Sequence, residues 1–374
     1  MKVIIATDSF KGCLSSAEAA SAIAEGFAGH ECVVLPVSDG GEGFAAVLTA
    51  ALGGRTVCIE AHDPLGRLVE TQYGIIDGPS GPSAVIESAA ASGLTLMRRD
   101  ELDPLHASSR GTGELIADAI RRGIRSIYVG FGGTGTNDGG SGMLEALEDV
   151  KDLWNECRFT GLCDVTATFC GPDGATAVYG PQKGVRPEQV ALLDERLRAL
   201  AGCYRSVLGR DVLTKPGSGA AGGMAGALWA VLGGKLESGA DAILDILHFE
   251  NHLEGASLVI TGEGCIDTQT LQGKLPAVVA RRAKAFSPSL RVVGLAGHVN
   301  LQGLAESMKA SGCVPDHAWP SGNVSIPFDD IIQINPPGTP IQTALDPAFA
   351  RSRLTATAAS LAEHHPASLV FRVL

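Results

Sequence analysis

Positive charge is in short supply in this chain. Its 29 Lys and Arg face 41 Asp and Glu, a net charge of −12, and no basic stripe appears anywhere. That argues against a nucleic-acid or anionic-membrane partner, but not against an anionic small molecule, which answers to its local site. No apolar run approaches ~18 residues, so no membrane-spanning helix is expected. The first run, Val3-Ile4-Ile5-Ala6, is cut short by Asp8. The nine cysteines (Cys13, Cys32, Cys58, Cys157, Cys163, Cys170, Cys203, Cys265 and Cys313) are odd in number and include no C-x-x-C pair. The histidines show no ligand spacing. Structural zinc and a disulfide framework are thereby disfavoured, and a reducing, cytoplasmic setting is expected. A Walker A pattern is absent, as are repeats and low-complexity tracts.

Glycine, by contrast, is abundant: 48 of 374 residues, roughly twice the usual ~7% share. It falls in short bursts after apolar runs, which suggests ligand-facing loops. The densest burst is Gly132-Gly133-Thr134-Gly135-Thr136-Asn137-Asp138-Gly139-Gly140-Ser141-Gly142. It follows a strand-like run at 126–131 and precedes a helical one at 143–147. Bare N–H groups beside a helix N-terminus suit an anion, so a phosphate is expected there. Gly130-x-Gly132-x-x-Gly135 also matches a dinucleotide fingerprint, but no second strand ending in an acid follows. A merely tight loop is the bland alternative.

The chain is long enough for two domains. A strand at 2–6, a capping box at Ser15-Ser16-Ala17-Glu18 with a helix to about Phe27, and a strand at 32–37 set a strand–loop–helix rhythm. The rhythm predicts a parallel sheet with functional loops at its C-terminal edge. From 55 to 87, short runs between turn clusters point to antiparallel or mixed sheet. The rhythm resumes after about 255, with a strand at 257–261, a helix at 274–285 and a strand at 291–296. Residues 318–347 read as irregular, before a last helix at 347–364. One α/β domain is thus expected from 1–55 plus 255–374, with a second α/β domain inserted over 56–254.

Charged residues cluster in the loops, each with a bland alternative. Asp39, in Ser38-Asp39-Gly40-Gly41-Glu42-Gly43, holds Mg²⁺ or caps a helix. Asp8 and Lys11 occupy the first βα loop, where Lys11 meets an anion or is simply solvated. Arg110 precedes a helix and reads a carboxylate or forms a structural ion pair. Asp164 follows a strand-like run, and Lys183 lies between turn formers. The segment 217–226 cradles an anion or packs closely, with packing favoured. Glu263, Asp267 and Lys274 gather at another strand end, and His364-His365 reads as a solvated helix end. Together these suggest Mg²⁺-dependent phosphoryl transfer to an unknown acceptor.

Seven blocks, in one order, resemble the type I glycerate kinase family. They are Asp8-Ser9-Phe10-Lys11-Gly12, Asp39-Gly40-Gly41-Glu42-Gly43, Ser109-Arg110-Gly111-Thr112-Gly113-Glu114, Thr136-Asn137-Asp138-Gly139-Gly140, Gly180-Pro181-Gln182-Lys183-Gly184, Gly219-Ala220-Ala221-Gly222-Gly223-Met224 and Thr261-Gly262-Glu263-Gly264 with Ile266-Asp267. The resemblance covers residue 1 to about 300. It implies ATP- and Mg²⁺-dependent phosphorylation of D-glycerate, usually at the 2-hydroxyl. It also implies a flavodoxin-like domain and a second domain likened to restriction-enzyme folds.

On that resemblance, Asp138, Asp164 and Lys183 are the expected catalytic residues. Arg110, Asn137, Lys11 and Asp8 would bind substrate. Gly132, Gly133, Gly135, Gly139, Gly140, Lys274 and Glu263 would bind ATP, with Asp39 and Asp267 on Mg²⁺. Oligomeric state is left open, a homodimer included. Thr7, Cys265 and Ala167-Thr168 depart from the family pattern, and some tens of residues are missing between Leu147 and Cys163. A catalytically impaired binding paralogue and an NAD-dependent oxidoreductase using residues 130–135 are the alternatives.

Overall fold

The structure, a computed structural model, describes residues 1–35, 37, 43–78, 81–271, 273–300 and 327–363. Its strands, in chain order, are β1 Lys2–Ile5, β2 Glu31–Val34, β3 Arg55–His62, β4 Leu68–Gly78, β5 Gly81–Glu87, β6 Ser126–Gly130, β7 Arg158–Leu162, β8 Lys235–Glu237, β9 Leu258–Ile266, β10 Arg291–Val299 and β11 Asp330–Gln333. The chain divides into two compact units, Met1–Asp39 with Ile243–Leu374, and Gly40–Ala242.

In the first unit, every strand pairing is parallel, in the order β11-β10-β9-β1-β2. Numbered within the unit this is 2-1-3-4-5, the flavodoxin-like order, with its switch point between β1 and β9. The strands read as unbroken apolar runs because both faces are covered. Val3, Ile5, Leu258, Ile260, Val293 and Leu295 share one core with helices Ser16–Gly26 and Pro347–Glu363. Their buried neighbours Ile4, Val259 and Val292 point to the other face. Helix Leu275–Phe286 packs on β9 and β10 through its own buried apolar stripe.

The capping box forms as the sequence predicts, with Ser15 N–H donating to Glu18 Oε2 at 2.8 Å and Glu18 N–H to Ser15 Oγ at 3.3 Å. The irregular reading of 318–347 needs correcting, since Asp330–Gln333 pairs with β10 as a fifth strand. Four residues amid Pro, Gly and Asn carry too little periodicity to reveal a strand. Residues 318–326 and His364-His365 lie outside the described residues.

The second unit holds a mixed sheet in the order β3-β4-β5-β6-β7-β8. Its first three strands are antiparallel, as the turn clusters predict, and the rest run parallel. Helix Phe44–Ala51 belongs to this unit. The Glu87 carboxylate at the end of β5 accepts from the Gly43 and Ala45 N–H groups, at 3.1 and 2.8 Å, and anchors the helix start.

The stretch between Leu147 and Cys163, where a deletion is expected from the resemblance, is folded. After helix Ser141–Leu147 the chain makes two tight helical turns, Glu148–Val150 and Lys151–Trp154, and enters β7. Val150 and Trp154 are 3% and 8% exposed and join the core. This bridge is held by apolar burial, so Trp154→Ala is expected to cost about 3–5 kcal/mol in urea unfolding. A cost within ~0.5 kcal/mol would show that the bridge hangs loose.

Candidate active site

In the loop that follows β6, the Asp138 carboxylate organises everything around it. Its Oδ2 accepts from Ser109 N–H at 2.9 Å, Ser109 Oγ–H at 2.7 Å and Gly142 N–H at 3.2 Å. Its Oδ1 accepts from Gly140 N–H at 3.0 Å. Ser109 Oγ in turn accepts from Met143 N–H at 3.0 Å. These are the donors that a phosphate at this position would use. The expected phosphate cradle is therefore occupied by the chain's own carboxylate.

Other glycines of the loop serve packing as well. Gly135 N–H donates to Ser92 O and Gly139 N–H to Gly222 O, both at 2.9 Å. Gly222 has φ +65 and its missing Cβ would lie 2.1 Å from Thr136 O, so only glycine permits this approach. The segment 217–226 thus clamps the loop, the favoured of its two readings. Gly132 and Gly133 begin the loop, with Gly133 exposed. The dinucleotide reading fails on geometry. Gly135 is a loop residue against Leu94 and Met97, and the helix starts only at Ser141, so no glycine opens it over a pyrophosphate.

Two buried polar side chains flank the aspartate. Lys183 is 2% exposed and its Nζ donates to Thr136 O at 2.7 Å and Thr134 Oγ1 at 3.4 Å. Burial pushes its pKa down to about 8, against the opposing charge of Asp138. Asn137 is 3% exposed. Its Nδ2 donates to Thr176 Oγ1 at 2.9 Å, while its Oδ1 has no partner among the described residues.

A cavity of about 510 Å³ opens beside the loop, lined by Asn137, Asp138, Ser141, Glu145, His106 and Arg196 among others. Arg110, the expected carboxylate reader, opens helix Arg110–Arg121. Its guanidinium pairs with Glu114 at 3.1 Å and with the cavity residue Glu145 at 3.5 Å. Glu114 also accepts from the His62 N–H and ring at 2.8 Å. Burial raises the Glu114 carboxyl, but these donors outweigh it and hold the group below the usual range. Asp164 is exposed beyond β7, where it accepts from Gly239 N–H at 3.0 Å, and does not line the cavity.

The first unit gathers a second set of charges at the C-terminal edge of its sheet. Asp8, 5% exposed, follows β1, and its N–H donates to Gly262 O at 2.9 Å. Glu263 accepts from Thr270 Oγ1 at 2.6 Å, and Lys274 Nζ lies 3.5 Å from Glu263 and 3.9 Å from Asp267. Burial pushes the Glu263 carboxyl up, against the pull of Thr270 and Lys274. Lys11, Glu263 and Lys274 line a separate cavity of about 310 Å³. Asp39 lies outside the described residues. Among the described residues no three His, Cys, Asp or Glu side chains are grouped to chelate a metal. Mg²⁺ still fits carboxylates such as Asp267, because it commonly binds through one or two of them plus phosphate and water. No described helix is long and apolar enough to cross a membrane.

Fold and strand-end loops together define an α/β enzyme, and comparison with known proteins makes the class specific. A model of the glycerate kinase family matches residues 3–150 and 147–315. A glycerate 2-kinase of Escherichia coli (strain K12) is 40% identical over 328 residues, 79% of this chain and 85% of that protein. A glycerate kinase of Bacillus subtilis (strain 168) is 38% identical over 379 residues, covering 93% of this chain and 94% of that one. A crystal structure from Salmonella typhimurium LT2, provisionally assigned as glycerate kinase 2, superposes with a TM-score of 0.79 at 36% identity, covering 97% of each chain. The chain belongs to the glycerate kinase family and is an enzyme of that type. The alignment with the Bacillus protein runs over more positions than this whole chain has residues, so part of that relative has no counterpart here. The family match breaks at 147–150, where the folded bridge begins.

Ser109, Thr176, Tyr204 and Glu145 were not singled out from sequence, because each acts through a partner distant in the chain. Tyr204, for instance, donates to Gly139 O at 2.9 Å. Asp138→Asn sets an amide against several donors at once, so a loss of about 3 kcal/mol in urea unfolding is expected. An unchanged midpoint would mean the loop does not depend on this anion. Lys183 gives a pH signature. Its folded pKa lies below the ordinary 10.5, so the unfolded chain holds the proton more tightly between about pH 8 and 10.5. Stability should therefore rise with pH across that window in the natural protein relative to Lys183→Met. Parallel curves for the two proteins would contradict this.

Proposed function

We propose that this enzyme transfers the γ-phosphoryl group of ATP to the 2-hydroxyl of D-glycerate, giving 2-phosphoglycerate. The relatives' names support glycerate as the acceptor, and that of the Escherichia coli protein favours the 2-position. The observation that carries the reading is the Arg110 guanidinium, which reaches Glu145 at 3.5 Å in the lining of the second unit's cavity, beside Asn137 and Asp138.

In this reading Arg110 exchanges Glu145 for the carboxylate of glycerate, a group its planar guanidinium binds with two hydrogen bonds. Asp138 and Lys183 are positioning residues. Asp138 is saturated with loop donors, and Lys183 holds the Thr136 carbonyl beside Asn137. Asp164, which lies off this cavity and accepts from Gly239 N–H, is given no part in the proton transfer. Lys11 and Lys274 of the first unit bind the phosphates, and Asp267 holds Mg²⁺, with Asp39 and Asp8 as further carboxylates. When bound, Mg²⁺ neutralises charge on the phosphate oxygens. The transfer needs positioning and charge neutralisation more than a covalent nucleophile.

A coupled ADP-release assay tests the reading, with L-glycerate, glycerol and no acceptor as controls. Turnover is expected to require D-glycerate. Arg110→Ala should raise KM for D-glycerate about 10–100-fold, the value of a lost charge-assisted contact. Glu145→Gln, which removes the competing carboxylate, should lower it. Equal rates with glycerol and D-glycerate would refute a carboxylate-reading site.

A further inference from the structure

The cavity of about 510 Å³ in the second unit is roomy for a three-carbon acid, since pockets of ~300–1,000 Å³ are those of drug-sized ligands. One of its walls is helix Pro187–Leu208, whose Leu193, Arg196, Leu197 and Leu200 fall at the spacing of a single helix face. Leu193 and Leu197 are buried. Arg196 is the charged member of this otherwise apolar stripe, and it is exposed. A cation on the face that a helix turns to its own core stands out, because that face ordinarily carries apolar side chains alone.

The other charged groups around this cavity are already paired. His106, the second basic side chain of the lining, has its Nδ1 2.8 Å from Asp103 Oδ2. Arg110 holds Glu114 and Glu145, and Asp138 is saturated by the loop donors. Arg196 differs. Among the described residues its only hydrogen bond is from Nη1 to Leu105 O at 3.0 Å, and no carboxylate faces it. Leu105 lies on the loop across from the helix and also lines the cavity, so that bond sets the guanidinium between two of the cavity's walls. One carbonyl uses a small part of a guanidinium's fork of donors and leaves the rest uncommitted.

Resting on the acceptor reading above, we propose that Arg196 is a second anion reader of this cavity and takes the phosphate of the phosphorylated acid, while Arg110 takes its carboxylate. The oxygens of a phosphate match the planar fork of an arginine and accept two bonds from it. D-Glycerate brings a carboxylate only and leaves Arg196 unused. Its phosphorylated product brings both anionic groups and engages both arginines. The product is therefore held more tightly than the substrate, and the acceptor site is inhibited by what it makes.

Calorimetric titration of the full chain with D-glycerate and with 2-phosphoglycerate, in the absence of nucleotide, tests this directly. The natural protein is expected to bind 2-phosphoglycerate about tenfold more tightly, the value of an added charge-assisted contact. Arg196→Gln should weaken 2-phosphoglycerate about tenfold and leave D-glycerate within about twofold, so that the preference collapses. Arg196→Lys keeps the charge without the fork, and should bind 2-phosphoglycerate more tightly than the glutamine variant. A role confined to holding the Leu105 carbonyl would instead weaken both acids together. That outcome, no effect of Arg196→Gln on either acid, a lysine variant no better than glutamine, or no preference for 2-phosphoglycerate in the natural protein would overturn the assignment. Arg110→Ala keeps the two readings apart. It should weaken both acids alike; if it changes neither while Arg196→Gln acts on 2-phosphoglycerate alone, the carboxylate reading falls and the phosphate site stands.

Discussion

A single buried-loop anion holds the second unit's site together. Asp138 draws Ser109, Gly140 and Gly142 onto its two oxygens, and through Ser109 it reaches Met143. The donors come from two helix starts, so the start of helix Arg110–Arg121 and the start of helix Ser141–Leu147 are tied at one point. Asn137 follows Thr136 in the same loop; its Nδ2 donates to Thr176 Oγ1, and its buried Oδ1 has no partner among the described residues. Lys183, charged and buried, adds a second constraint on the Thr136 carbonyl. Its depressed pKa reflects how little water reaches the loop.

Much of the architecture was legible because it rests on local signals. The capping box at Ser15 and Glu18, the apolar runs of the parallel strands and the turn clusters before β6 all appear where short-range pattern puts them. What escaped was decided by partners far along the chain. The glycines from 132 to 142 look alike in sequence whether they cradle a phosphate or enclose a carboxylate, and only the position of Ser109 and Gly222 decides. Arg110 shows the same limit. A guanidinium at a helix start was equally a ligand reader or an ion pair, and Glu114 and Glu145 make it the second with the means to become the first. β11 was missed because its pairing with β10, not its own four residues, makes it a strand.

The segment after Leu147, where the family match breaks, is packed into the core. Val150 and Trp154 bury themselves in the core of the second unit, and Lys151 lies over the Trp154 ring at 5.8 Å. Glu145, in the helix just before this bridge, lines the larger cavity, so the bridge lies next to the proposed acceptor site. Cys265 lines the smaller cavity with Lys11 and Lys274. Those two lysines supply positive charge there.

Phosphorus NMR of the purified protein with Mg²⁺-ATP and D-glycerate addresses the central claim most directly, because it reads the product's own connectivity. A new phosphomonoester signal split into a doublet by one carbon-bound proton, appearing as ADP accumulates, is the predicted result and marks transfer to the 2-hydroxyl. A triplet would move the phosphoryl group to the 3-hydroxyl. An ATP spectrum unchanged over hours, in a sample that still unfolds cooperatively, would contradict phosphoryl transfer to glycerate altogether.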